Sequence, residues 1–218
     1  ELEILEAYAK SLYELHDQDK YKESAEVYRV LLDRDRLNPR NPELHEKLIE
    51  TFDLARDLEG AAKEREELVK RYAKGTAWYR ANLGNAAATI RADRLVETAL
   101  KQRATFHHAA AQELKVRART ENKPELLDKA RAEYLAAASA YKQYLAQYPH
   151  RKDTLDIMFL RAEALFYADE YLLAAEAYAE VRDLKLPKNK YLEAAAFSAI
   201  KSVEEEIGAL IARKKVDG

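Results

Sequence analysis

An all-α fold made of antiparallel helix pairs is what this sequence predicts, on three observations. Ala, Leu, Glu, Lys and Arg dominate, while Gly and Pro number only five each, so helix formers prevail and helix breakers are scarce. Tyr134, Ala137, Ala138, Tyr141, Leu145 and Tyr148 recur at intervals of three and four, one stripe of a helix that Pro149 then stops. The phrase also repeats. It returns 37 residues later as Tyr171, Ala174, Tyr178 and then Val181. A second pair of phrases shares that offset: Leu15 with Phe52, Tyr21 with Leu58, Ser24 with Ala61, Leu31 with Leu68 and Leu32 with Val69. A fixed period of this length is the mark of a repeat architecture.

Taken in order, residues 1–16 read as a helix with Leu2, Leu5, Tyr8, Leu12 and Leu15 inward. Asp17-Gln-Asp19 makes a turn, and residues 20–36 form the partner helix, with Tyr21, Ser24, Val27, Tyr28, Leu31 and Leu32 inward. Asn38-Pro39 and Asn41-Pro42 break the chain, because a residue before proline is pushed out of the α region. Residues 43–56 and 58–73 form the next pair, and Gly75 fits the left-handed position that closes a helix. Trp78 lies in a short helical piece, with a break at Asn82-Leu-Gly84-Asn85. One long helix follows over 86–120, its Lys115, Arg117 and Arg119 suiting the negative pole of the helix dipole. Pro124 stands at the start of the next helix, 125–148, making this middle pair longer than the others. Residues 153–168 and 170–184 form a further pair. The last helix, 189–212, carries Leu192, Ala195, Ala196, Ala199, Val203, Ile207 and Leu210 on one side, with no partner after it.

Bulk properties exclude several classes. A net charge of −2 with interspersed signs gives no basic face for nucleic acid. No apolar run is long enough to span a bilayer. Cysteine is absent, which removes disulfides and thiolate metal sites. The start at Glu1 and the finish within helix-like sequence read as a fragment of a longer protein.

The second-helix phrases Tyr21…Ser24…Tyr28…Leu31, Leu58…Ala61…Leu68, Tyr134…Ala137…Tyr141…Pro149 and Tyr171…Ala174…Tyr178…Val181 resemble those of the tetratricopeptide repeat (TPR) family. Leu48 with Phe52 and Ala162 with Leu165 add first-helix matches. The Trp–Leu–Gly opening is missing, and the period is 37 rather than the family's usual value of about 34. The resemblance implies a right-handed α-α superhelix, a TPR-like solenoid with one elongated pair in the middle. Its expected organisation is two repeats over 1–73, an irregular middle over 74–148, and a repeat plus a capping or truncated-repeat helix over 149–218. The tyrosine-rich second helices with a Tyr-Pro ending are similar to bacterial cell-envelope TPR proteins. These include outer-membrane assembly lipoproteins of the BamD type, Tol–Pal-associated proteins and, through residues 68–79, large motility proteins of myxobacteria. The resemblance implies a periplasmic or outer-membrane-associated setting.

Catalytic chemistry has little to build on. There is no HExxH, glycine-rich phosphate loop, GxSxG or nucleophilic cysteine. Adjacent His107 and His108 point roughly 100° apart on a helix, so with Glu113 they make a poor metal site. No enzyme activity, cofactor or metal is expected. Aligning the repeats puts Glu46, Glu50 and Asp53 on the concave surface of the second repeat, and Phe159, Glu163, Phe166 and Tyr167 on that of a later one. The acids would attract a basic protein or peptide partner, and the aromatics would anchor it. The alternative is that Phe159 and Phe166 are inter-repeat core and the acids solvated surface. The carboxylate clamp of some TPR domains needs Lys and Asn where this chain has Glu46/Glu50 and Phe159/Glu163, so an anionic peptide end is expected to be repelled there. The function expected is a protein-binding scaffold; the alternative is a structural spacer with an empty groove.

Overall fold

The computed structural model describes residues 2–216, which carry ten α-helices and no strand. The chain divides into two compact units, Glu1–Arg103 and Ala104–Gly218, and the division falls within the longest helix.

In the first unit, α1 (Leu2–Glu14), α2 (Gln18–Arg34), α3 (Asn41–Leu54), α4 (Leu58–Tyr72) and α5 (Ala77–Ala81) pack one on the next in chain order. The first part of α6 (Ala86–Thr120) completes the unit. Turns of only a few residues between packed helices make the neighbours antiparallel. In the second unit, α7 (Glu125–Gln147), α8 (Thr154–Tyr167), α9 (Tyr171–Asp183) and α10 (Leu192–Val216) pack in the same sequential manner.

The turns explain the helix limits. Asp17 caps α2 by accepting from the Asp19 and Lys20 amides at 2.9 and 3.2 Å, and Asp57 caps α4 through the Gly60 amide at 2.8 Å. Asn85 caps α6 through the Ala88 amide at 3.1 Å, which sets the break just after Gly84. Helix α5 is fixed to the loop between α2 and α3, since Trp78 Nε1 donates to the Asn38 carbonyl at 2.7 Å. Gly75 has φ of 86°, the left-handed conformation expected of it. Arg56, Asn122 and Asp169 also lie in this region, at φ of 57°, 52° and 62°. The amide after each one reaches back to the carbonyl five residues earlier, at 3.0 Å: Asp57 to Phe52, Lys123 to Ala118 and Glu170 to Leu165. These are Schellman closures built without glycine.

That turn geometry corrects the repeat register. The left-handed turn residues and capping aspartates of the first unit pair as His16 with Arg56 and Asp17 with Asp57, an offset of 40 rather than 37. Tyr21 therefore corresponds to buried Ala61, and Leu58 is 61% exposed. In the second unit the 37-residue offset holds: Ala137 and Ala174, Tyr141 and Tyr178, and Tyr144 and Val181 are all buried.

The inward face of α1 also shifts. In α1 the buried residues are Ala9 and Leu12, with Tyr8 and Leu15 exposed. Ala9 is held close because Ser24 Oγ donates to its carbonyl at 2.8 Å, and a larger residue there would block that approach. Among the described side chains of α10 only Ala195, Ala199 and Ser202 are buried, while Phe197 and Ile200 are 70% and 64% exposed and Val203, Ile207 and Leu210 are exposed too. Small residues face α9, and the larger apolar ones face out. No helix among the described residues is long and apolar enough to cross a membrane.

Candidate functional site

Glu46, Glu50 and Asp53 recur at i, i+4 and i+7, so α3 presents them on one face. They line a single cleft of about 160 Å³ in the first unit, with Ile49, Leu68 and Leu95 as its apolar part. Their charges are unequally engaged. Asp53 accepts from Arg65 Nη2 at 2.6 Å, and Arg65 is held in turn by Gln102 at 2.8 Å. Glu50 pairs with Lys47 at 2.6 Å, and the neighbouring Tyr13 hydroxyl has its pKa raised by burial and by Glu50. Glu46 makes no ion pair among those seen. Three carboxylates and one guanidinium leave the lining acidic, though less so than the sequence alone suggests.

Beneath this face lies a buried polar cluster that the sequence reading missed. Glu64 on α4 is 9% exposed and accepts three hydrogen bonds. Arg29 gives two, at 3.1 and 2.7 Å, and His45 Nε2 gives one at 3.1 Å. Burial pushes the Glu64 pKa up, but the His45 and Arg29 hydrogen bonds outweigh it and hold the carboxyl below its ordinary value. This cluster ties α4 to α2 and α3 and so fixes the helix that carries Glu46, Glu50 and Asp53.

In the second unit the four residues singled out on α8 part company. Phe159 is half-buried: it stacks on Tyr191 at 4.2 Å with planes 7° apart, and meets Tyr178 edge-on at 5.6 Å. It belongs to the packing between α8, α9 and the segment before α10. Glu163 is half-buried, and burial raises its pKa. Tyr134, Tyr141 and Tyr178 face it, and burial followed by the Glu163 charge pushes the Tyr141 pKa up to about 12.

Phe166 and Tyr167 do line an open cleft, of about 250 Å³, together with Tyr134 and Tyr171. What faces these rings is basic. Lys115 Nζ lies 3.9 Å above the Tyr167 ring centre, and Lys201 Nζ lies 5.5 Å from that of Phe166. Both lysines escaped the sequence reading, which assigned Lys115 to a helix dipole. The heavy aromatic content of α8 was the available signal, since lysine ammoniums settle over such rings.

His107 and His108 diverge as the helix geometry requires. His107 Nδ1 lies 2.7 Å from Glu133, while His108 is buried against Tyr134 and Tyr141. Among the described residues no group of three His, Asp or Glu side chains is arranged to hold a metal. No protein-family model matches the sequence, and no curated protein matches it significantly.

Proposed function

We propose that this chain is a non-catalytic protein-interaction scaffold of the TPR type. Its helix pairs continue as a right-handed superhelix, and it holds a basic segment of a protein partner against Glu46, Glu50 and Asp53. The observation that carries the reading is the shared cleft: three carboxylates from successive turns of α3 converge beside an apolar surface. A lysine or arginine stem would lie on Ile49 and Leu95 while its charged head met Glu46, the carboxylate without an ion pair. A setting in the bacterial cell envelope follows from the sequence resemblance alone and forms part of the proposal.

Calorimetric titration with a blocked peptide of alternating Lys and Leu tests it. The triple variant Glu46→Gln, Glu50→Gln, Asp53→Asn is expected to bind at least about tenfold more weakly, a loss of ~1.4 kcal/mol. Equal binding by wild type and triple variant would remove the groove from the account. The spacer reading draws on the engagement of Asp53 by Arg65 and Glu50 by Lys47, and it predicts no saturable binding at all.

A further inference from the structure

The α8 cleft is built for the opposite charge. Its basic groups are Lys115, Arg131 and Lys201, and its acidic groups are Asp169 and Glu205. Arg131 and Asp169 satisfy each other: Arg131 pairs with Asp169 and, at 2.6 Å, with Asp128, and Asp169 also accepts from the Tyr171 hydroxyl at 3.0 Å. Among the described residues neither Lys115 nor Lys201 has a carboxylate at ion-pair distance; each rests on a ring of α8 instead. Lys115 comes from α6, Lys201 from α10, and the rings between them from α7, α8 and α9. Burial is the main cause of a lowered Lys115 pKa, with Arg119 adding to it and Asp169 opposing it. An ammonium held in this way gains from any anion that enters.

We infer that this cleft receives an acidic side chain of a protein segment, its carboxylate between Lys115 and Lys201 and its neighbouring apolar residue against Tyr134 and Tyr171. Three features select that ligand. The volume, about 250 Å³, lies below the range of roughly 300–1,000 Å³ usual for small-molecule sites, and suits one or two side chains. With Arg131 and Asp169 engaged together, Glu205 offsets one of the two remaining lysines, which suits a monoanion better than a doubly charged phosphate. The four rings give an apolar flank that a bare inorganic anion would not use. Glu46, Glu50, Phe159 and Glu163, where an anionic end is expected to be repelled, are not among the residues lining this cleft. The inference rests on the scaffold reading only in taking the ligand to be a protein segment.

Amide-resolved NMR titration of the whole chain tests it, with acetyl-Leu-Glu-Leu-amide as the probe and acetyl-Leu-Gln-Leu-amide as its neutral control. The Glu peptide is expected to shift the amides of Lys115, Tyr167, Tyr171 and Lys201 saturably, with a dissociation constant on the order of millimolar, and the Gln peptide several-fold less. Lys201→Gln, an exposed substitution, and Lys115→Gln should each weaken binding roughly threefold. Exposed Lys152→Gln should leave it unchanged. The inference is overturned by absence of saturable shifts, by equal binding of the Gln peptide, or by tighter binding of inorganic phosphate. In the same spectrum the Lys/Leu peptide reports on Glu46, Glu50 and Asp53, so failure of either site is read independently of the other.

Discussion

Replacing Glu64 by alanine removes the acceptor shared by two helices, and the cost can be built from its partners. Arg29 keeps Glu26 at 2.7 Å, and its side chain is 43% exposed, so it loses about 0.5 kcal/mol. His45 has no such refuge. Its side chain is 1% exposed and its Nδ1 has no hydrogen-bond partner, so losing Glu64 leaves both ring nitrogens unpaired. That costs about 1–3 kcal/mol, and the vacated volume adds ~1 kcal/mol. Glu64→Ala is therefore expected to destabilise by about 2.5–4.5 kcal/mol. Glu64→Gln keeps the packing and one acceptor, and should cost about half as much. Urea unfolding followed by tryptophan fluorescence is the assay. Trp78 packs on Tyr72 at 5.3 Å, and Tyr72 packs on His45 at 5.6 Å, so the only tryptophan reports on this cluster. An alanine variant within about 0.5 kcal/mol of wild type, or a glutamine variant less stable than the alanine one, would refute the reasoning.

The same carboxylate sets a pH dependence. Because its folded pKa lies below the ordinary value of 4.5, its stabilisation is fully present above that pH and is lost as pH falls through the folded value. The stability gap between wild type and Glu64→Gln should stay constant at neutral pH and close in acid, measured by urea midpoints across a pH series. Arg56 holds a left-handed conformation, is exposed and makes no ion pair among those seen, so Arg56→Gly should stabilise by about 0.5–1 kcal/mol. Gly75→Ala should do the reverse by ~1 kcal/mol, since φ of 86° strains any Cβ even in open space. Thermal melts of both variants check the pair. Ile200→Ser should change stability by less than about 0.5 kcal/mol, because that side chain is 64% exposed; a larger loss would place it in the core.

Helix content was legible because composition and three-to-four spacing act locally. The long α6, the break near Gly84 and the stripe of α7 follow directly from such patterns. The register of the first unit was not legible, because His16 and Arg56 hold its left-handed turn positions without the glycine that would have marked them. The inward face of α1 was misread for a related reason. Where Ala9 faces a neighbouring helix, close approach rather than side-chain size decides burial, and hydrophobic spacing favours the larger residues beside it. Of the candidate sites, the three acids of α3 do share a cleft because i, i+4 and i+7 place them on one face. Their ion pairs come from Arg65 on another helix and Lys47 on their own, and only the former was beyond local reasoning. Lys115 and Lys201 reach the α8 rings from distant positions in the chain, so the aromatic content of α8 marks where a cation settles but not which lysines arrive.

The central claim is that open carboxylates of the α3 cleft hold a basic partner, and single substitutions test it most directly. Calorimetric titration of Glu46→Gln, Glu50→Gln and Asp53→Asn with the Lys/Leu peptide should rank their losses in that order. Glu46 makes no ion pair among those seen, Glu50 is shared with an exposed lysine, and Asp53 is held by a largely buried arginine. Equal losses, or the largest loss at Asp53, would contradict the account.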